Sequence, residues 1–272
     1  MPISPKFEQM PKPNNKFLRL LADLVLPSDP ADAAGDLVGP MMAAERVGGK
    51  VAKGLVGEAA ENFKKFFRKS DVVDEMGDPL RVYHGTAAPD IDEFNKPINW
   101  FSEDPVLAND YAGFRGHEAG GGENVIPAYL RAEKPFDADS LGKWSSVGEM
   151  VSAISKQAGR TPDNDDRLKK LYKLLRDNAA REESGTSFQA QDFWHPESFG
   201  KDGQDAVLQT LKDMGFDSVR LTESGKKTIG VLEPTQIKSA TGNRGTYDPN
   251  DPSIMKSLLP YLMYGLKPNE NE

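Results

Sequence analysis

The spacing of apolar residues changes near residue 70, and this change divides the chain. Before it, apolar residues from Phe17 to Leu24 follow the i, i+3, i+4, i+7 pattern of a short amphipathic helix, which Pro27 ends. Residues 1–16 are rich in Pro and Asn, which predicts disorder. Residues 30–56 are rich in Ala and Gly, which predicts either a helix lying on the main domain or a segment that binds a partner.

Strand-like segments follow from residue 71 onward. The stretch "VVDEMGDPLRVYHG" predicts a strand, a turn at Gly77–Pro79 and a second strand. The stretch "FSEDPVLANDYA" predicts a helix with Asp104 as its N-cap and Pro105 in its first turn. The stretch "VIPAYLRA" predicts another strand, which Pro127 should place at an edge or a bulge because proline cannot donate to a ladder.

Residues 140–200 interrupt the strand pattern and predict a helical insertion. One helix covers "SVGEMVSAISKQAG" and a second covers "DDRLKKLYKLLRDNAARE", where leucines recur at helical spacing. The stretch "AVLQTLKDMG" then predicts a helix that ends at Gly215, and "DSVRLTESGKKTIGVLE" predicts a hairpin with Gly225 in its turn. A short apolar helix is predicted at residues 254–263.

Composition limits the classes of protein that need consideration. The 272 residues carry a formal net charge of -8, which argues against a broad nucleic-acid-binding surface. The absence of cysteine excludes disulfides, zinc-thiolate sites and cysteine nucleophiles. No apolar run approaches the ~20 residues of a membrane span, and the first residues lack the apolar stretch of a secretory signal. We therefore expect a protein that acts in cytoplasm.

The sequence contains no convincing metal or phosphate motif. His84, His117 and His195 lack the spacing of metal ligands. The segment "DADSLGKWSSVGE" begins like a calcium loop, but Gly148 stands where a bidentate glutamate is required. The glycines at 120–122 are not followed by the Lys-Ser/Thr of a phosphate-binding loop. No metal is therefore expected.

His84 and Tyr111 are the candidate functional residues that spacing alone indicates. Tyr111 shares a predicted helical face with Ala108 and Ala112, which leaves a ring face open to a flat ligand. The alternative is a tyrosine ring packed in the core. His84 ends an apolar run and precedes Gly85, which would let the backbone approach a ligand closely. The alternative is an ordinary strand-end histidine beside a turn glycine.

The segments that carry these residues also occur in a specific order. "VYHGT", "WFSEDPVLANDYA" and "IGVLEPTQIKSATGNRGTYDPNDPSI" follow one another along the chain. The ordered set resembles the ADP-ribosyltransferase domains of phage and prophage polyvalent proteins. These domains belong to the histidine-tyrosine branch of the fold, which includes poly(ADP-ribose) polymerases and diphtheria toxin. The resemblance covers residues 61–255 and is weakest in the helical insertion.

The resemblance implies a groove that binds NAD as co-substrate. In this branch the histidine, here His84, binds ribose hydroxyls, and the following glycine, Gly85, holds the nicotinamide carboxamide through its backbone. The tyrosine at position 111 stacks on the nicotinamide ring, and the aromatic residue at Trp100 covers its other side. Four further residues are implied to line the groove: Thr86, Phe101, Ser102 and Ala108.

The third catalytic position is where the chain departs from these relatives. Poly-ADP-ribosylating relatives place a glutamate at the start of the last strand, and counting back from "LEPTQ" puts Thr228 there. Threonine cannot act as a general base, so Gln236 or Glu233 becomes the candidate third group, with Gln236 preferred. The alternative for Gln236 is a structural amide. Strand alternation separates Thr228 from Glu233 unless a bulge intervenes.

These observations lead to an expected fold and activity. The fold is α+β, with two small, mostly antiparallel sheets around an NAD groove and a helical insertion at 140–200. The expected organisation is an arm at 1–56, an ADP-ribosyltransferase-like domain at 57–255, and a C-terminal helix and tail at 256–272.

The expected activity is that of a mono-ADP-ribosyltransferase of phage or prophage type, because Thr228 argues against elongation of poly(ADP-ribose). It would modify a macromolecule of a bacterial host, most simply a protein, in the bacterial cytoplasm after delivery from a virion. Residues 17–56 and 254–263 are the expected contacts to other virion proteins. Two alternatives stay open: a virion-packaged interaction protein with a vestigial groove, and an NAD glycohydrolase.

Overall fold

The computed structural model describes residues 50–88, 91–119, 123–161, 164–179, 187–243 and 245–255. The disordered segment expected at 1–16 and the helix expected at 17–24 lie outside these residues. Most of the two segments at 30–56 and 254–263 lies outside them as well.

The described residues form two compact units. The first, here the helix unit, contains residues 50–66, 240–243, 245–248 and 255. Its helix α1 (Lys50–Phe67) buries the phenylalanine face that the sequence predicts, and the Phe63 ring packs edge-on against Tyr247 at 5.0 Å. The second, here the sheet unit, contains the described parts of residues 67–239 and 249–254.

One seven-stranded sheet forms the frame of the sheet unit. Its strands are β1 (Val82–Thr86), β2 (Asn99–Ser102), β3 (Asn124–Leu130), β4 (Pro135–Asp137), β5 (Ser218–Glu223), β6 (Lys226–Val231) and β7 (Ile237–Ser239). Their order is β4-β5-β6-β2-β1-β3-β7, and every neighbouring pair except β4–β5 is antiparallel. The expected antiparallel character is therefore confirmed.

The expectation of two separate sheets is not confirmed, because the strands form a single ladder. The junction in its middle is narrow: β1 and β2 are in register only at Tyr83 and Ser102. By contrast, β1 pairs with β3 along Val82–Thr86, and β2 pairs with β6 along Asn99–Ser102. The sheet therefore consists of two well-paired halves, β4-β5-β6-β2 and β1-β3-β7, that separate beyond one residue pair.

Pro127 does not make β3 an edge strand, which corrects one of the two expectations for it. The strand pairs with β1 through Pro127 and Tyr83, and with β7 only from Ala128 to Leu130. Pro127 therefore lies just beyond the end of β7, where its missing N–H costs no ladder hydrogen bond.

Four helices of the sheet unit contain the segments that the sequence predicts as helical, although two of them are longer than predicted. They are α2 (Pro105–Ala119), α3 (Val147–Gln157), α4 (Asp166–Ala179) and α5 (Pro196–Asp213). Asp104 caps α2, since its Oδ1 accepts a hydrogen bond from the Val106 N–H at 2.7 Å. Ser146 and Glu149 form a capping box at the start of α3. The helices expected in the insertion are thus confirmed.

Residues of β6 alternate between the two faces of the sheet, as the sequence predicts. Ile229 and Val231 belong to a buried cluster that also includes residues of β1, β3 and β7. On the other face, a Cβ at Gly230 would lie 2.6 Å from the Ile98 Cδ1, and Leu232 joins the cluster formed with the insertion helices. This second face carries the side chain of Thr228.

The β5–β6 hairpin has the tight turn that "ESGK" predicts. Ser224 and Gly225 have φ angles of 50° and 76°, so they form a two-residue turn of the kind that glycine favours. The turn fixes the register, which pairs Glu223 with Lys226 and Leu221 with Thr228. Glu223, Leu221 and Thr228 therefore share one face of the sheet.

Candidate functional site

The sheet unit contains a cavity of about 310 Å³ beside the narrow β1–β2 junction. Residues of both strands line it, together with residues of α2, the β5–β6 hairpin and the insertion. The volume is at the lower end of the range for small-molecule sites in proteins. We call the residues from the strands and α2 the strand wall, and those from the insertion and α5 the insertion wall.

His84 of β1 is held in a fixed orientation on the strand wall. Its Nδ1 lies 2.7 Å from the Trp100 carbonyl oxygen, which can only accept, so Nδ1–H is the donor. The imidazole also packs edge-on against Phe94, with ring centroids 4.9 Å apart, and against Phe101 at 5.3 Å. In the neutral ring this tautomer makes Nε2 the acceptor nitrogen.

Gly85 is required by the packing of α2 against β1. A Cβ at this position would lie 1.8 Å from the Ala108 carbonyl oxygen and 2.8 Å from the Ala112 N. Ala108 and Ala112 are correspondingly buried, at 2% and 0% exposure. Ala108 and Ala112 are therefore small because α2 packs closely against β1. The sequence analysis had explained them only by the space that they leave beside the Tyr111 ring.

Tyr111 is not the core residue of the alternative interpretation. Its side chain is 40% exposed, and the residue lines the cavity from α2. Its hydroxyl donates a hydrogen bond to the Glu223 carboxylate. The ring is therefore accessible while its polar end is held by a charged acceptor.

Glu223 is a cavity residue that the sequence analysis missed. It ends β5, lines the cavity and accepts the hydrogen bond from Tyr111. The sequence contained the information to find it, because counting three residues outward from the turn at Ser224–Gly225 pairs Leu221 with Thr228. Alternation along β5 then places Glu223 on the Thr228 face.

The remaining residues that the sequence analysis expected in the groove line the cavity, with the exception of Thr86. Trp100, Phe101, Ser102, Ala108 and Thr228 line the cavity with Gly85. Thr228 is 4% exposed, and its hydroxyl donates to the Leu221 carbonyl at 3.2 Å. Thr86 is not among the lining residues, and its Oγ1 accepts a hydrogen bond from the Ala88 N–H.

The two preferred candidates for the third group do not line the cavity. Gln236 is 3% exposed; its Oε1 accepts from the N–H groups of Leu232 and Glu233, and its Nε2 donates to the Arg131 carbonyl. These are the bonds of a structural amide. Glu233 forms an exposed ion pair with Lys212 at 2.7 Å. The geometry gives no support to either residue as the third catalytic group.

The insertion wall consists of residues that the sequence analysis did not assign to a site. A 3-10 helix, Ala190–Trp194, and the start of α5 supply them: Gln191, Trp194, His195 and Gln204. Trp194 is 2% exposed and its ring centroid lies 6.4 Å from that of Trp100. Thus two of the three histidines, His84 and His195, line one cavity.

A charged pair connects α2 to the hairpin beside the cavity. The Lys226 Nζ lies 2.5 Å from the Asp104 Oδ2. Its hydrogen bond, together with the bond from the Val106 N–H, holds the pKa of Asp104 below its ordinary value. The pair therefore ties the start of the helix that carries Tyr111 to the strand opposite Glu223.

Two further properties bear on the class of site. Within the described ranges, no group of three or more His, Cys, Asp or Glu side chains is placed to hold a metal ion. The described helices include none that is both long and apolar enough to cross a membrane.

Comparisons with known proteins identify the family. Neither the curated proteins nor the solved structures include a significant match to the chain. The model of one family, described as ADP-ribosyltransferase in polyvalent proteins, matches residues 74–247, which is well over half of the chain. The match spans the strand wall, the insertion and the hairpin. The chain therefore belongs to the ADP-ribosyltransferase family found in polyvalent proteins.

Proposed function

We propose that this protein binds NAD in the cavity of the sheet unit and transfers a single ADP-ribose to an acceptor. ADP-ribosyltransferase domains generally use NAD as substrate, and membership of the family makes NAD the first ligand to test. The observation that carries the proposal is the convergence of His84, Trp100, Tyr111 and Glu223 on one cavity. These residues come from three separate parts of the sequence.

In this proposal, His84 positions the ribose of NAD. The bond from Nδ1–H to the Trp100 carbonyl fixes the ring, so Nε2 is presented as an acceptor for a ribose hydroxyl. The flanking rings of Phe94 and Phe101 restrict its movement. Positioning of this kind is the main catalytic effect available for a substrate with a good leaving group.

Tyr111 and Trp100 form the aromatic part of the proposed nicotinamide site. The exposed ring of Tyr111 offers a π-face to a pyridinium, an interaction on the order of 1 kcal/mol for each ring. Trp100 lines the same cavity from β2. The backbone N–H and C=O of Gly85 are the proposed partners of the nicotinamide carboxamide. The absence of a side chain at Gly85 is required independently by its close packing against α2.

Glu223 is our proposed third catalytic group, in place of Gln236 and Glu233. As the bond between nicotinamide and ribose C1 breaks, nicotinamide leaves with the electron pair and positive charge develops on the ribose. A carboxylate at the cavity wall stabilises that charge. The acceptor nucleophile then bonds to C1 and gives its proton to Glu223. The hydroxyl of Tyr111 fixes the orientation of the carboxylate, and Thr228 supplies only a hydroxyl.

The setting of the activity is a further part of the proposal. The family is described by its occurrence in polyvalent proteins, which supports a phage or prophage origin. We propose delivery from a virion into the bacterial cytoplasm, with a host protein as acceptor. Residues 17–56 and 254–263 remain the proposed contacts to other virion proteins.

The experiment uses NAD labelled in the adenosine part and a bacterial lysate. Mono-ADP-ribosyl transfer requires two results together: release of nicotinamide, and label retained as single units on a macromolecule. Protease treatment that frees the label identifies a protein acceptor, whereas nuclease sensitivity identifies a nucleic acid. Long label-bearing polymers would contradict the single transfer that Thr228 implies.

One specific observation favours the two alternative functions. Thr228 replaces the glutamate of the poly-ADP-ribosylating relatives, so transfer to a macromolecule could be lost. Nicotinamide release without retained label would establish an NAD glycohydrolase. Absence of both NAD binding and nicotinamide release would favour an interaction protein with a vestigial groove.

A further inference from the structure

Strand β5 loses one of its two neighbouring strands before it reaches Glu223. The parallel pairing of β4 with β5 stops at Asp137 and Arg220. Beyond that point, among the described strands, β5 pairs only with β6, as far as Glu223 and Lys226 beside the turn. A ribbon of two strands is marginally stable in water, so this end of the hairpin needs a further contact to hold Glu223 in one place.

The side chain of Asp139 supplies that contact. After β4 the chain enters a short 3-10 helix, Ala138–Leu141. If the β4–β5 register continued past Asp137, Asp139 would stand opposite Thr222. Its Oδ1 accepts a hydrogen bond from the Thr222 N–H at 2.7 Å, and its Oδ2 accepts one from the Thr222 hydroxyl, also at 2.7 Å. The carboxylate thus takes the place of the missing strand at this edge of β5.

Asp139 is itself held in position by hydrogen bonds. Its N–H donates to the Asp137 Oδ1 at 3.2 Å, which caps the 3-10 helix. Gln157, the last residue of α3, fixes the backbone of Asp137: its Oε1 accepts from the N–H and its Nε2 donates to the C=O, both at 2.8 Å. A chain of hydrogen bonds therefore connects the insertion to β5 through Asp137 and Asp139.

Asp139 acts on the residue directly before Glu223. Thr222 and Glu223 are consecutive in β5, so their side chains point to opposite faces of the sheet. Asp139 does not line the cavity, whereas Glu223 does. On the cavity face, the Tyr111 hydroxyl donates to the Glu223 carboxylate. Glu223 is therefore fixed at two points: its carboxylate by Tyr111, and its backbone by the bonds of Asp139 to Thr222.

We propose that Asp139 is a positioning residue for Glu223. The inference rests on the proposed function, in which Glu223 stabilises charge at the ribose and takes the proton of the acceptor. Both actions depend on distance, and a displacement of about 1 Å by a residue away from the chemistry can lower a rate by up to about 100-fold. Loss of the bonds from Asp139 should therefore lower kcat more than it changes the KM for NAD.

The test is the steady-state release of nicotinamide from NAD by the full chain. Asp139→Asn keeps the shape of the side chain, but its NH₂ group would face one of the two donors of Thr222. We expect kcat to fall about ten-fold and the KM for NAD to change by no more than about two-fold.

Asp217→Asn is the matched control for Asp139→Asn. Asp217 directly precedes β5, and its carboxylate accepts from the N–H groups of Glu133 and Lys134 at 2.7 and 3.0 Å. It therefore makes the same kind of bond at the other end of the same strand. We expect it to leave kcat unchanged.

A second pair of variants tests the bond from the side of Thr222. Thr222→Val removes the hydroxyl and keeps the shape of the side chain, whereas Thr222→Ser keeps the hydroxyl. We expect kcat to fall about three-fold in Thr222→Val, the scale of one hydrogen bond, and to be retained in Thr222→Ser. This pair decides the question if Asp139→Asn does not fold.

A double-mutant cycle tests whether Asp139 acts through Glu223. In the Glu223→Gln background, measured by single turnover with excess protein, Asp139→Asn should lower the rate by no more than about two-fold further. An unchanged kcat in Asp139→Asn, or an equal fall in both backgrounds, would overturn the proposal.

The positioning role and the proposed function fail separately. Wild-type protein that releases nicotinamide, together with an inactive Glu223→Gln, retains the function even where Asp139→Asn is fully active. If the wild type releases no nicotinamide, the function fails, and hydrogen exchange of the amides at residues 222–227 still tests the contact. We expect exchange there to be about ten-fold faster in Asp139→Asn than in Asp217→Asn, and equal rates in the two variants would exclude the contact as a support for Glu223.

Discussion

The two walls of the cavity differ in how well the sequence predicted their residues. The strand wall carries His84, Trp100 and Tyr111, which the order of short sequence motifs already indicated. The insertion wall carries Gln191, Trp194, His195 and Gln204, and none of these lies in such a motif. Strand residues are placed by local register, whereas the insertion wall depends on how α5 and its preceding turn pack. The order of the sequence motifs therefore predicts the residues of the strand wall but not those of the insertion wall.

The largest effect is expected from breaking the strand wall at Gly85. In Gly85→Ala the new Cβ would lie 1.8 Å from the Ala108 carbonyl oxygen, which belongs to the backbone and cannot move alone. We expect destabilisation of about 3 kcal/mol, at the upper end of overpacking effects, and loss of NAD binding. Urea unfolding measures the first and calorimetry the second.

Gly113→Ala is the matched control for this substitution. Gly113 lies in α2, the helix that carries Ala108, and a Cβ there would meet nothing closer than Glu123 Oε1 at 3.5 Å. Alanine favours helix, so Gly113→Ala should be neutral or stabilising by up to ~1 kcal/mol. Equal destabilisation by both substitutions would show that the β1–α2 contact is not the cause.

The next largest effect concerns the third catalytic group. Glu223→Gln keeps the size of the side chain and removes its charge, so we expect nicotinamide release at saturating NAD to fall about 100-fold or more. Glu233→Gln is the matched control, since Glu233 forms an exposed ion pair with Lys212 away from the cavity. Loss of activity in Thr228→Ala alone would instead assign the role to Thr228 of β6.

A smaller effect is expected from replacing either of the two cavity histidines with alanine. His84→Ala removes a hydrogen-bonding ring from the strand wall and should weaken NAD binding by ~1–2 kcal/mol. His195→Ala removes an exposed ring from the insertion wall and should change the affinity by no more than about two-fold. Calorimetric titration of both variants makes the comparison. A larger loss of NAD affinity from His195→Ala would show that the insertion wall contributes more to NAD binding than the strand wall.

Asp104→Asn should have a small effect that depends on pH. Asparagine still caps α2, so the substitution isolates the charge interaction with Lys226. Because the pKa of Asp104 is lowered below 3.8, its stabilisation is complete above that value and disappears as pH falls through the folded-state pKa. The melting temperature of the variant should therefore be slightly lower than that of the wild type at pH 6, and the difference should shrink as the pH falls below 3.8. A difference that does not shrink as the pH falls would exclude the charge as its source.

The smallest effect is expected from removing residues 1–56, which supply neither wall. A chain that starts at residue 57 retains Asn62 and Phe63, whose partners in the helix unit are Gly245 and Tyr247. It should melt cooperatively, at nearly the temperature of the full chain. Differential scanning calorimetry compares the two, and a broad transition without a peak would place the arm in the core.

Local sequence patterns predicted most of the helices and strands of the sheet unit and most of the strand wall. The caps at Asp104 and Ser146, the turn at Ser224–Gly225 and the alternation of β6 follow from backbone geometry that is local to each segment. The family resemblance that the ordered motifs carry implied a common groove for His84, Trp100 and Tyr111, and all three line the cavity. These features require no knowledge of distant contacts.

The contacts of those residues follow from long-range packing, which the sequence patterns do not reveal. It joined the two expected sheets through a single residue pair, placed Glu223 against Tyr111, and turned Gln236 into a structural amide. It also brought Trp194 and His195 from the insertion to the cavity. Contacts between segments far apart in sequence depend on how whole faces pack together. A pattern with a period of two or 3.6 residues records which face is buried, but not against which partner.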